Sequence, residues 1–269
     1  MSALFIVPDA SAPLDLTWEW KLLTKSVQTV TATATSTGTS SSSCTDLLET
    51  SSTPLDQFYH SIPHFIHSID DAAREALLSA YIEAFRNAEQ VAVEMGGRDA
   101  MVSALDLCAS WSHNWPSSTI LARSVGIGLC NGELERAGFD EYFELNICGT
   151  TTTTTTTNTT SSSLPLETGA FHIITCACGI PYLTNPVHAF TEAARILCVK
   201  GGVVLVSFSD HIVTPERATK KWLQWSESER VLAIFEWATL AGFKTVHVAD
   251  ASPLKGTTHS LILVKLTKG

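Results

Sequence analysis

The chain has 269 residues and a formal net charge of -10, with 27 acidic side chains against 17 Lys and Arg. That length suits one large α/β domain, or one domain with a tail. The acidic balance argues against a nucleic-acid substrate, whose phosphates need a basic face, and no apolar run is long enough to cross a bilayer.

Near the start, the apolar ALFIV stretch is too short for a secretory core, lacks a basic lead and is followed by acidic residues. The first fifty residues contain no Arg, which argues against a mitochondrial transit peptide. Trp18 and Trp20 alternate around Glu19, as in a short strand or a docking segment. Thr29 to Ser43 is almost entirely Thr, Ser, Ala and Gly, a composition that cannot bury a core. These features divide the chain into an extension over 1–53 and a folded domain over 54–269.

Tyr59, His60, His64 and His67 cluster early in the domain, either as a substrate rim with a general base or as solvated rings on a loop or helix. Ser68 and Asp71 have the spacing of a capping box. A helix follows from Asp70 to Val93, with Ala73, Leu77, Tyr81, Phe85 and Ala88 as its apolar stripe and Gly96–Gly97 as its stop. Met101 to Ser112, MVSALDLCASWS, then reads as a buried strand ending in Asp106 and a turn. In open α/β sheets ligands gather at that end of the strands. Asp106 therefore either meets a ligand or caps the next helix.

A second strand is expected over Thr119–Gly126, and a helix over Gly132–Ala137 with Asn131 as its N-cap. A third strand is EYFELNI, Glu141 to Ile147. Residues 149–163 are a Thr/Ser-rich insertion with no apolar face, read as a disordered loop, although Thr favours strands. Phe171 to Cys176 is the fourth strand, with Cys178 and Tyr182 just beyond it. A helix over Ala189–Leu197 leads through Lys200–Gly201–Gly202, a turn needing backbone freedom, into the strand VVLVSF. Asp210 and His211 follow, either as a paired base or as strand terminators. Pro215 to Ala241 reads as a long amphipathic helical region whose three Trp residues pack the core, followed by strands six and seven, the last being Ser260–Lys265. The pattern predicts a Rossmann-like three-layer αβα sandwich with about seven strands, mostly parallel, the last antiparallel.

The seven cysteines (Cys44, Cys108, Cys130, Cys148, Cys176, Cys178, Cys198) are odd in number and mostly fall in or beside buried strands, as free thiols of a cytoplasmic protein do. Strand alternation places His172, Cys176 and Cys178 on one face. Their spacing is not that of a usual zinc site, and no metal is expected.

Two blocks carry a resemblance. Met101–Ser112 resembles motif I of the class I S-adenosylmethionine (SAM)-dependent methyltransferases, with Asp106 in the acidic position and Cys108, Ser110 and Ser112 where the family has glycines. Residues 171–211 are similar to the fourth strand, next helix and fifth strand of the type 11 methyltransferase domain. Phe58 to Lys265 resembles a subgroup in which a DLC-S-W-SH-P motif replaces the glycine loop. The resemblance implies SAM as cofactor and a small-molecule or protein methyl acceptor. It implies that Asp106 orients the methionine end, that the backbone from Leu107 and Cys108 to Ser112 cradles it, and that Asn131, Leu145 and Asn146 meet ribose and adenine. Glu133 is a substitute for Asn131. Cys176 would lie near the reacting methyl group. His211, Asp210, Tyr182 and His64 are the candidates for deprotonating the acceptor. A methyltransferase-like module without catalysis is the alternative, because glycine permits positive φ and close approach to a ligand, and these substitutes carry a Cβ.

Overall fold

The computed structural model describes residues 18–23, 63–148, 163–253 and 259–269. Eight strands form one sheet: β1 (Lys21–Leu22), β2 (Val102–Leu107), β3 (Leu121–Gly128), β4 (Glu141–Glu144), β5 (Ile173–Ala177), β6 (Val203–Phe208), β7 (Thr245–Asp250) and β8 (Ile262–Thr267). Their order is β1-β7-β8-β6-β5-β2-β3-β4. From β4 to β6 all pairings are parallel, while β8 runs antiparallel to both β6 and β7. The expected sandwich with a reversed last strand is the one observed. The Trp18–Trp20 region adds an eighth, two-residue strand, antiparallel to β7. The Thr/Ser insertion, apart from Ser163, lies outside the described residues, as do Tyr59 and His60.

Alternation along the strands builds two cores. On one face Leu105, Leu107, Ile174, Cys176, Val204, Val206 and Phe208 meet α3 (Pro186–Ile196) and α5 (Glu227–Leu240). On the other, Val102, Ala104, Ile173, Val203 and Leu205 meet α1 (Asp71–Gly96). Small residues dominate α1's buried stripe: Ala73, Ala76, Ala80, Ala84, Ala88 and Ala92 recur at helical spacing beside Leu77, Tyr81 and Phe85.

Several local expectations shift. The α1 cap is Asp70, whose carboxylate accepts from Ala73 N at 2.9 Å, not a Ser68–Asp71 box. The short helix α2 (Asn131–Ala137) has Cys130 as N-cap, without a side-chain bond, so Asn131 is its first residue. The helical region expected over 215–241 consists of α4 (Lys220–Gln224) and α5, separated where Ser226 and Glu229 form a reciprocal capping box that restarts the backbone. The shared face for His172, Cys176 and Cys178 is also corrected. Cys176 packs with the α3/α5 core and Cys178 with the α1 core. Cys178 lies past the strand with φ 53°, which breaks the alternation. His172 instead accepts from Ser103 N at 3.0 Å, tying β5's entry to β2. Among the described residues, no group of three or more His, Cys, Asp or Glu is placed to hold a metal. Nor is any described helix long and apolar enough to cross a membrane.

Candidate functional site

Strand order reverses between β2 and β5, the point where open α/β sheets bind ligands beyond the carboxyl ends of the strands. Asp106 is the penultimate residue of β2, and register pairs it with Thr175 of β5. Both side chains fall on the α1 face. Thr175 Oγ1 donates to Asp106 Oδ1 at 3.0 Å and accepts from Trp115 Nε1 at 2.9 Å. Asp106 is 4% exposed, and burial pushes its carboxyl up to about 7 against the lowering effect of the Thr175 bond. Tyr81 lies beside this pair. Burial followed by the Asp106 charge drives its ionisation well above the usual phenol range, against the lowering effect of Thr175.

The chain turns sharply at both strand ends. Cys108 (φ 64°) and Cys178 (φ 53°) are the only non-glycine residues in the left-handed region among those described. Cys108 thus adopts the backbone conformation that glycine provides most readily. Gly179 packs onto it, and a Cβ there would collide with the Cβ of Cys108. The Cys108 thiol is hydrogen-bonded to Cys176, and that bond together with burial holds it well above its ordinary value. Burial pushes Cys178 up to about 12. These thiols are protonated packing groups at neutral pH.

Beyond Cys108 the loop folds across the end of β3. Ala109 N donates to Ile127 O at 2.7 Å, and a Cβ on Gly128 would strike the Ala109 carbonyl. A strap, residues 63–70, lies over this loop. His64 N donates to Glu133 Oε1 at 2.7 Å, and Ser110 Oγ donates to Glu133 Oε2 at 2.6 Å. Trp111 Nε1 donates to Ile66 O at 3.2 Å, while the His67 ring lies 4.5 Å from the Trp111 ring. The Arg136 guanidinium covers Phe65 at 4.6 Å.

Beneath the strap is a cavity of about 50 Å³. Its polar lining includes Asp106, Arg74, His67, Ser110, Ser112 and Asn114. Sites for drug-sized ligands run from roughly 300 Å³ upward. At this volume the space admits a small polar headgroup and no adenosyl group. Trp111 is part of the lining, whereas Trp115 lies outside it, packed against Phe85, His113 and Phe139.

The fold thus brings Asp106, Cys108, Ser110 and Ser112 to one cavity, with Cys176 buried against Cys108. Leu107 points into the α3/α5 core. Asn131 and Asn146 are exposed and outside the cavity lining; Asn146 Oδ1 accepts from Cys148 N at 2.9 Å. Leu145 is tied through its N–H to Gly128 O at 2.9 Å. His67 of the strap lines the cavity, while His64 anchors the strap through its backbone. Tyr182 accepts from Thr214 Oγ1 at 3.1 Å, and burial raises its phenol. Asp210 accepts from Ser260 N at 2.8 Å, so its carboxylate clamps the start of β8. Burial would raise Asp210, but the Ser260 and Ser209 bonds outweigh it and hold it low. His211 stacks on His259 at 4.1 Å.

Three contributors escaped sequence reading: Thr175, Trp115 and Arg74. Thr175 is a lone polar residue on the buried α1 face of β5. Arg74 is a cation near a helix N-terminus, where the macrodipole disfavours it. Both departures from pattern were visible signals.

No family model matches the chain, and no curated protein matches it. Solved structures do overlap it. A possible histamine N-methyltransferase from Thermotoga maritima is 16% identical, with 71% of this chain and 94% of that chain covered at a TM-score of 0.44. A putative sarcosine dimethylglycine methyltransferase from Galdieria sulphuraria is 10% identical, covering 80% and 96% at 0.47. A putative methyltransferase from Bacillus halodurans is 16% identical, covering 68% and 98% at 0.41. The fold assignment rests on the strand order and pairing, which stand without these overlaps.

Proposed function

We propose that this chain is a SAM-dependent methyltransferase acting on a small-molecule or protein acceptor, and that it binds SAM at the β2/β5 crest. One observation carries the reading. Asp106 is a buried carboxylate at the switch point, with one oxygen held by Thr175 and no hydrogen bond to the other among the described residues. A buried charge without a full set of partners is costly, and an ammonium from the methionine end would supply the missing partner. Cys108 supports this, because its left-handed turn supplies at a cysteine the loop geometry for which glycine is otherwise required.

The residues fit the headgroup directly. Room for the remainder requires the strap to lift, as lids do in many enzymes. Glu133 would then be released from Ser110 and His64 to accept ribose hydroxyls. Asn131, Leu145 and Asn146 lie along the same edge for the nucleoside. Bound SAM would supply an electrophilic methyl group, and the protein's task is to position an acceptor against it. Tyr182 is protonated at neutral pH and serves as a hydrogen-bonding group toward the acceptor. His211, with Asp210 ordering its loop, and His64 on the strap are the candidates to receive the acceptor's proton.

A second reading has its own support. The small cavity, with Trp111 in its lining, suits a methyltransferase-like module that has lost its donor. Isothermal titration with SAM at pH 8 distinguishes the two. Saturable heat at micromolar to millimolar ligand, abolished by Asp106→Asn, is the expected result; no heat at millimolar SAM would favour the second reading.

A further inference from the structure

We propose that Cys108 and Cys176 are a redox-sensitive pair that closes a reversible disulfide between the loop after β2 and strand β5. The inference stands on these two thiols and does not depend on which ligand the crest binds.

β2 and β5 are parallel neighbours, with Asp106 opposite Thr175. The next step of that register sets Leu107 against Cys176, and Cys108 follows at once. Neighbouring strands lie about 4.8 Å apart, within the roughly 4.4–6.8 Å that a disulfide spans between Cα atoms. Continued alternation would turn the Cys108 side chain toward α1, away from Cys176. Its left-handed backbone (φ 64°) ends the alternation, and the side chain packs against the α3/α5 core, to which Cys176 belongs. The space beside Gly179 locates the sulfurs. A Cβ there would sit 2.9 Å from Cys108 Sγ and 3.1 Å from Cys176 Sγ, so both sulfurs border one point. The two thiols are also hydrogen-bonded to each other, which selects Cys176 over Cys148, the other cysteine of that core near Cys108.

Access to the pair is asymmetric. Cys108 is half-buried and lines the cavity, whereas Cys176 is 3% exposed. A hydroperoxide small enough for the cavity therefore meets Cys108 first. Cys108 sulfur takes one oxygen from hydrogen peroxide, giving a sulfenic acid and one water. Cys176 sulfur then attacks Cys108 sulfur: the S–S bond forms, the S–O bond breaks, and hydroxide leaves with the Cys176 proton as a second water. Both sulfurs are oxidised, the peroxide is reduced, and a dithiol reverses the result by exchange. The bond to Cys176, burial, and the charges of Cys176, Cys148 and Asp106 all hold Cys108 protonated at neutral pH. Only the thiolate attacks, so the pair closes slowly there and faster in alkali.

The test treats the native full chain with hydrogen peroxide at pH 7, 8 and 9, blocks the remaining thiols and maps the peptides. The expected main product is a Cys108–Cys176 link that dithiothreitol removes and that forms about tenfold faster per pH unit. Urea well below the unfolding transition should leave that rate unchanged, as it must if the native fold holds the pair. Cys176→Ser should carry Cys108 on to a sulfinic acid, and Cys108→Ser should leave Cys176 unoxidised. Thermal melts confirm that the variants fold; if one does not, the wild-type map and the urea series decide alone. A rate that climbs with urea, a link from Cys108 to Cys148, sulfinic acid on Cys108 without a link in wild type, or an unoxidised Cys108 at pH 9 would each overturn the proposal.

Discussion

Tryptophan is used in two different ways on the two sides of the sheet. On the α3/α5 side, Trp222, Trp225 and Trp237 stack and abut one another with centroids 6.0–6.5 Å apart. Trp222 is fully buried, and its Nε1 finds no partner. Here the indoles are volume. On the α1 side, Trp115 spends its N–H on Thr175, which holds Asp106, while Trp111 ties the strap to the crest. Here the indoles position polar groups. The side lined by alanines carries buried Asp106, the buried Tyr81 phenol and the cavity. On the other side the buried acid, Glu192, is paired with Arg195 at 2.8 Å. The acid without a charged partner thus lies on the side opposite the three stacked indoles.

The sharpest way to break that contrast is Trp222→Ala. It should cost about 3–5 kcal/mol of stability through a large unfilled void, read by denaturant unfolding, while the folded fraction keeps its ligand affinity. Equal loss of affinity would mean the two sides are not separate.

Asp106→Asn should act in the opposite sense. The ordinary carboxyl value is 3.8, and the folded value is about 7. A folded value above the unfolded one means that the folded state holds the extra proton between about pH 4 and pH 7. The associated stability is present at low pH and is lost as pH rises through that window. At pH 8 the variant should be more stable than wild type, by on the order of 4 kcal/mol at most, and its stability should vary less between pH 4 and 7. Ligand binding should fall to nothing. A variant that is less stable at pH 8 would show that the carboxylate is fully satisfied in the fold.

Gly128→Ala places a Cβ against the Ala109 carbonyl, a backbone atom that cannot step aside cheaply. The expected cost is about 1–3 kcal/mol, with the loss of order concentrated in 108–115 and visible as faster amide exchange there. The smallest effect is Glu133→Gln. It weakens two hydrogen bonds that hold the strap, so exchange at residues 64–70 should speed up about fivefold, the equivalent of about 1 kcal/mol, with global unfolding nearly unchanged.

Much of the sheet was legible because its strands are short apolar runs bounded by turn residues, and α1 because its stripe repeats at helical spacing. The break between α4 and α5 was hidden by apolar periodicity that continues through Trp225, although Ser226 and Glu229 already had the spacing of a cap. Asp106 could be placed because a carboxylate ending a buried strand violates the expected pattern. Arg74 could not be joined to it, since only the docking of α1 on β2 brings residues 32 positions apart to one cavity. The face of Cys178 was misread because alternation assumes extended backbone, and the left-handed turn there ends it.

The margins of the sheet have a consequence for behaviour at high concentration. One border is the two-residue β1, too short to template a neighbouring molecule. The other is the four-residue β4, whose Glu141 and Glu144 are both exposed. Short borders and charged ends blunt the row of unpaired backbone groups through which sheets join edge to edge. Such borders should keep copies of this chain from zipping into fibrils, and neutralising the two glutamates is the change that would remove that protection.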